Sequence, residues 1–138
     1  MSALSAEIEA ANAGFYRAFE TLDIARMEAV WAHDERATCV HPGWPLLTGW
    51  RAVRDSWDAI FANTEEMRFT LSDVRVVAAG DTAVVTCTEN ILSGVAGRIA
   101  VSSVLATNVF ERRSEGWRMI LHHASPVLAR RDEDSGDR

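Results

Sequence analysis

The sequence predicts an α+β domain, with three N-terminal helices packed on one face of a strongly curved antiparallel sheet, and three observations carry this expectation. Apolar residues recur at helical spacing as far as about residue 63. From Arg68 onward the pattern turns extended, in four segments rich in Val, Thr, Ile and Phe. The links between those segments are short, so consecutive strands pair antiparallel as a meander.

Each element has a local reason. Residues 5–20 place Ile8, Ala11, Phe15, Ala18 or Phe19, and then Leu22, on one helical stripe, with Ser5 as a plausible cap. Asp23 is placed to cap a second short helix through Ile24, Met27, Val30 and Trp31, after which the charged run His33-Asp34-Glu35-Arg36 returns the chain to the surface. Ala37, Cys39 and His41 share one face of a first strand, so the histidine points where the small apolar residues point, inward. Pro42-Gly43 ends that strand, and Trp44, Pro45, Leu46 and Leu47 form an apolar flap. Thr48 is read as the cap of a third helix from about Gly49 to Asn63, with Trp50, Val53, Trp57, Ile60 and Phe61 on its apolar side.

Four strands follow, at 68–78, 82–93, 98–112 and 117–127, separated by Ala79-Gly80-Asp81, by Gly94 to Gly97 and by Ser114-Glu115-Gly116. Residues 1–128 read as one domain, and the polar tail ARRDEDSGDR at 129–138 is expected to lack order. At 138 residues the chain can bury a core, but any pocket must be carved from that core. With 48% hydrophobic and 25% charged residues the composition is that of a soluble globular protein.

A net charge of −6 argues against nucleic acid and against an anionic membrane as partners. All 14 basic residues are arginine, which excludes a Schiff-base lysine. No stretch has the length of a membrane span or the features of a signal peptide, so a cytoplasmic location is expected. Cys39 and Cys87 both fall in apolar strands and read as buried reduced thiols.

His41 leads the candidates for chemistry, because imidazole exchanges a proton near neutral pH; the plainer reading is a histidine that hydrogen-bonds backbone at a turn. Glu89 interrupts the apolar face Ala83, Val85, Cys87 and Ile91, and a carboxylate there must find a partner, raise its pKa or reach water. Asn108 poses the same question on the face of Val104, Ala106 and Phe110. By strand parity His123 joins Trp117, Met119, Leu121 and Ser125 on the inward face and His122 turns out, unless a bulge exchanges the two. Trp44 and Trp57 are candidate pocket walls, and Tyr16 borders the first helix's apolar stripe one turn beyond Asn12. A metal site of His41, His123 and Glu89 is a weak alternative, since no close spacing enforces it; neither metal nor cofactor is expected.

Trp31-Ala32-His33-Asp34, Ala37-Thr38-Cys39-Val40-His41-Pro42, Thr48-Gly49-Trp50, and Gly116-Trp117-Arg118-Met119 with His122-His123-Ala124-Ser125 together resemble the SnoaL-like and ketosteroid-isomerase-like superfamily, the nuclear-transport-factor-like cone. The resemblance spans roughly residues 5–128 and implies the cone fold and a homodimer packed through the convex sheet face. It puts His41 at the isomerases' catalytic aspartate, Phe15 rather than Tyr16 at their oxyanion tyrosine, and Ala106 near their buried acid. Steroid isomerisation by that route is therefore not expected, although the architecture fits.

The resulting expectation is a small cofactor-independent enzyme moving a proton on a small apolar or cyclic molecule, as an isomerase, cyclase or lyase. His41, Glu89 and His123 would be catalytic, with Tyr16, Phe15, Trp44, Trp57 and Asn108 around the substrate. The other reading is a non-catalytic ligand-binding or association module of the same fold.

Overall fold

The computed structural model describes residues 2–128, and the 129–138 tail lies outside the described residues. Helix α1 spans Ala3–Thr21, α2 Ile24–Val30 and α3 Trp50–Ala62. Ser2 caps α1, its hydroxyl accepting the Ser5 N–H at 3.0 Å, so the cap lies three residues ahead of the expected Ser5. Leu22, in the left-handed region at φ 55°, ends α1, and Asp23 caps α2 as expected, accepting the Ala25 N–H at 2.9 Å.

Helix α3 starts without a side-chain cap. Thr48, expected there, lies instead in a two-residue strand, β2 (Leu47–Thr48), paired with β1 (Thr38–Val40). The turn into the helix is made by Gly49 at φ 88°, a conformation that strains any residue bearing a Cβ.

The long strands β3 (Glu66–Ala79), β4 (Thr82–Val95), β5 (Arg98–Arg113) and β6 (Gly116–Pro126) form the expected antiparallel meander. The sheet as a whole is mixed rather than antiparallel, in the order β2-β1-β6-β5-β4-β3, because β1 runs parallel to β6. The helices lie on its inner face over a core that includes Ile8, Phe15, Phe19, Met27, Trp31, Val53, Trp57, Val85, Phe110 and Met119.

Two irregularities shape the sheet. One sits between Ser72 and Arg75 in β3, where Asp73 adopts φ 55°. The other faces Val109 and Phe110, which pair with Leu121 and Met119 and leave Ile120 as the extra residue of β6. An extra residue exchanges the faces of everything beyond it. Trp117 and Met119 point inward before the bulge, His122 and Ala124 after it, and His123 is exposed on the outer face.

The β4–β5 hairpin reaches past the helices. On the inner face of β4, Ala83, Val85, Cys87 and Glu89 are buried, whereas Ile91 and Ser93 are half-buried and Ala100 and Ser102 opposite them are exposed. Glu89 therefore sits where the covered part of the sheet ends.

Candidate functional site

Four strand and helix positions converge on Glu89. Asn12 and Tyr16 are four apart on α1 and so share its buried face. Asn108 of β5 lies directly across from His122 of β6, and both face inward only because of the Ile120 bulge. Glu89, Asn108, Asn12, Tyr16 and His122 are each at most 4% exposed.

Their side chains form one hydrogen-bonded chain. The Tyr16 hydroxyl donates to Glu89 Oε2 at 2.5 Å and accepts from Asn108 Nδ2 at 3.1 Å. Asn108 Nδ2 also donates to Asn12 Oδ1 at 2.9 Å, and Asn108 Oδ1 lies 2.6 Å from His122 Nδ1. Cys87 Sγ, at 3.5 Å from the Tyr16 oxygen, completes the cluster.

Burial raises the Glu89 carboxyl to about 7, with the Tyr16 hydrogen bond pulling the other way. Tyr16 is driven far upward, first by burial and then by the neighbouring Glu89, so it remains a phenol that donates. Burial lowers His122 to about 3, keeping the ring neutral. The group that changes charge near neutral pH is thus the carboxylate and not an imidazole.

His41 lies outside this hydrogen-bonded chain, its ring 6.3 Å from that of His122. It is 3% exposed, inward as expected, with Nε2 at 2.9 Å from Ser56 Oγ. Ser56 gives its single hydroxyl proton to the Val53 carbonyl at 2.6 Å, so the His41 Nε2–H must be the donor. Burial lowers this ring to about 4. With the proton on Nε2, the Nδ1 lone pair is the basic site of His41, and burial weakens it as a base near neutral pH.

Trp44, 40% exposed in the flap, and the buried Trp57 both set their rings edge-on to His41, at 4.9 and 4.7 Å between centroids. Phe15 lies 4.8 Å from His122 and 5.6 Å from Trp57, so it serves as core. The Trp57 indole N–H is sealed without a partner among the described residues, at a cost of about 1–3 kcal/mol by the usual desolvation penalty.

The structure unites Glu89, Tyr16 and Asn108, sets His41 and Trp44 apart around Trp57, and turns His123 away from all of them. The inward placement of His123 is corrected by the bulge. Asn12, Ser56 and His122 are the buried polar residues that sequence reasoning did not select. The four-residue step from Asn12 to Tyr16 was a usable signal for the first; nothing in the pattern marks the second.

Cys39 and Cys87 are free and buried, as expected, and burial raises both thiols. Among the described residues no group of three His, Cys, Asp or Glu is placed to hold a metal, and no helix is long and apolar enough to cross a membrane. Surface hollows of about 480, 320 and 410 Å³ are present, and none is lined by Glu89, His41 or His122.

The direction in which Glu89 is displaced sets a pH dependence. A carboxyl raised from 4.5 to about 7 holds its proton in the folded protein after the unfolded chain has released it, so stability falls as pH rises through that window. The lowered His41 and His122 act oppositely and earlier, stability rising with pH up to their unfolded value of 6.5. Glu89→Gln, which keeps an acceptor for Tyr16, removes the falling limb. Relative to the parent protein its stability gains on the order of 3 kcal/mol between acid and mildly alkaline pH, at about 1.4 kcal/mol for each tenfold change in the ionisation constant. Urea denaturation across that range measures the gain; a constant difference between the two proteins refutes the raised carboxyl.

Three comparisons with known proteins fit this architecture. Residues 8–129 match the SnoaL-like domain family. A "putative dehydratase from the NTF2-like family" of Streptomyces avermitilis is 43% identical at a TM-score of 0.87, over 91% of this chain and 97% of that one. A "putative calcium/calmodulin-dependent protein kinase type II association domain" of Thiobacillus denitrificans is 36% identical at a TM-score of 0.77, over 87% and 94%. The F-box protein SKIP8 of Arabidopsis thaliana is 26% identical over 85% of this chain, which spans 48% of that protein's length. With the family pattern matched along nearly the whole cone, the chain belongs to the SnoaL-like domain family.

Proposed function

We propose that the chain is a cofactor-independent enzyme that transfers a proton on a small apolar or cyclic carbonyl compound, with Glu89 as the acid–base group. The observation that carries this reading is the Tyr16–Glu89 pair, a buried carboxyl held to about 7 by burial and by one phenolic donor at 2.5 Å. General acid–base catalysis is most effective when the group's pKa lies near the working pH. His41, neutral and engaged with Ser56, becomes part of the wall.

On this reading the substrate must reach the buried Glu89 from the uncovered end of the β4–β5 hairpin, nearest to it in the strand. Phe69, Leu71 and Ile91 line the inner face there, half-buried beside the carboxyl, and suit an uncharged apolar molecule. Glu89 takes a proton from carbon next to the substrate carbonyl, becoming a neutral acid and leaving an enolate. Return of the proton to another carbon is an isomerisation; its delivery from Glu89 to a β-hydroxyl, which leaves as water while the enolate closes to the conjugated carbonyl, is a dehydration, and either step restores the carboxylate. The words attached to the Streptomyces avermitilis relative support the second outcome.

Deuterium uptake from heavy water at the carbon beside the carbonyl of cyclohexanone and 2-tetralone, followed by mass spectrometry, tests the proposal. The protein is expected to accelerate uptake, Glu89→Gln to lose about 100-fold or more, and His41→Ala to retain most of it. Equal rates for the parent protein and Glu89→Gln would remove Glu89 from the chemistry.

A second reading, an association module, is favoured by the outer sheet face. Leu105 is 50% exposed and Val101 79%, beside the half-buried Val109 and Leu121. An apolar sheet face of this kind fits packing against a second copy, and it is compatible with catalysis inside the cone. Sedimentation of a dimer, converted to monomer by Leu105→Arg with the fold intact, is the expected result; a monomeric parent protein contradicts it.

A further inference from the structure

Three buried residues, Asn12, Asn108 and His122, make no hydrogen bond to Glu89, yet hydrogen-bond counting ties them to it. The inference rests on the acid–base role of Glu89 and starts from the single proton of the Tyr16 hydroxyl. With the carboxyl ionised, that proton goes to Glu89 Oε2 at 2.5 Å. The contact from Asn108 to the Tyr16 oxygen, 3.1 Å, must then be an amide N–H. The second amide N–H is directed at Asn12 Oδ1, 2.9 Å away.

Asn108 Oδ1 is left facing His122 Nδ1 at 2.6 Å, so Nδ1 must carry the proton of that neutral ring. Nε2 is then bare. Every donor from His122 through Asn108 and Tyr16 points toward the carboxylate. An inverted Asn108 amide would accept the Tyr16 proton instead, stripping Glu89 of its donor and setting two amide oxygens against each other at Asn12.

We propose that Asn108 and His122 are positioning residues that hold Tyr16 as a one-way donor to Glu89, with His122 locked as the Nδ1–H tautomer and Asn12 fixing the amide's orientation. Proton donors that polarise one another along a chain strengthen the last bond, here the one to the carboxylate. The titratable groups around it are Tyr16 on α1, Cys87 and Glu89 on β4, and His122 on β6, with His41 6.3 Å from the His122 ring and His123 outside the sheet. Among the described residues no arginine pairs with Glu89, so the donor chain is its counterpart.

The test uses two readouts besides turnover. Nitrogen-15 NMR of the histidines, at a pH above the Glu89 midpoint, is expected to give His122 a pyrrole-type Nδ1 and a pyridine-type Nε2. The Glu89 carboxyl band, followed by isotope-edited infrared titration, is expected to move its midpoint upward by about one pH unit in Asn108→Leu. It moves further in Asn108→Asp, where a second carboxylate recaptures the Tyr16 proton.

An Nε2–H tautomer at His122, or an unmoved Glu89 midpoint in folded variants, overturns the proposal. The tautomer is read on the unaltered protein, so the test survives if neither variant folds. Failure of the enzyme reading appears separately: a shifted midpoint with no deuterium uptake keeps the positioning role and removes the catalysis. Uptake with the wrong tautomer does the reverse.

Discussion

The structure depends most on the hydrogen bond from Tyr16 to Glu89, because an ionisable group at the end of a covered sheet is tolerable only if something inside the core answers it. An unpaired buried carboxylate is strongly disfavoured and protonates instead. Here burial outweighs the phenol's hydrogen bond, and the carboxyl is left at about 7, well above 4.5. The helix α1 must then present Tyr16, and Asn12 one turn earlier, to the same spot. Both are buried on the face of the helix that also carries Ile8, Phe15 and Phe19.

The Ile120 bulge provides the other half of the arrangement. By exchanging faces in the middle of β6 it brings His122 opposite Asn108 and sends His123 outside, so one extra residue decides which of two adjacent histidines belongs to the interior. The same strand pairs in parallel with β1, which leads directly to His41. Two neutral imidazoles thus lie 6.3 Å apart, both against Trp57, each tied to a different hydrogen-bonding partner. Of these buried groups the carboxyl is the one poised to change charge near neutral pH.

Much of this was legible beforehand. Period and turn residues located three helices and four long strands to within about two residues, and the interruption of an apolar face singled out Glu89 and Asn108. Helix starts were less legible, because Ser2 and Ser5 are equally good caps locally and because Gly49 begins α3 by conformation alone. The exchange of His122 and His123 was not legible, since a bulge is created by the pairing of two strands and leaves no mark in the period of either. The tautomer of His41 was not legible for a related reason: it depends on Ser56, fifteen residues away on a helix, whose own proton is already committed to Val53.

The most direct measurement of the account is the ionisation of Glu89 itself, followed by carbon-13 NMR of its labelled carboxyl in the intact protein. A single titration near neutral pH, well above the 4.5 of a free glutamate, is the predicted result, and it would establish a buried acid–base group inside the cone. A carboxyl that titrates at 4.5 or below would mean that the Tyr16 donor outweighs burial, and that the pair is a structural anchor with no acid–base function.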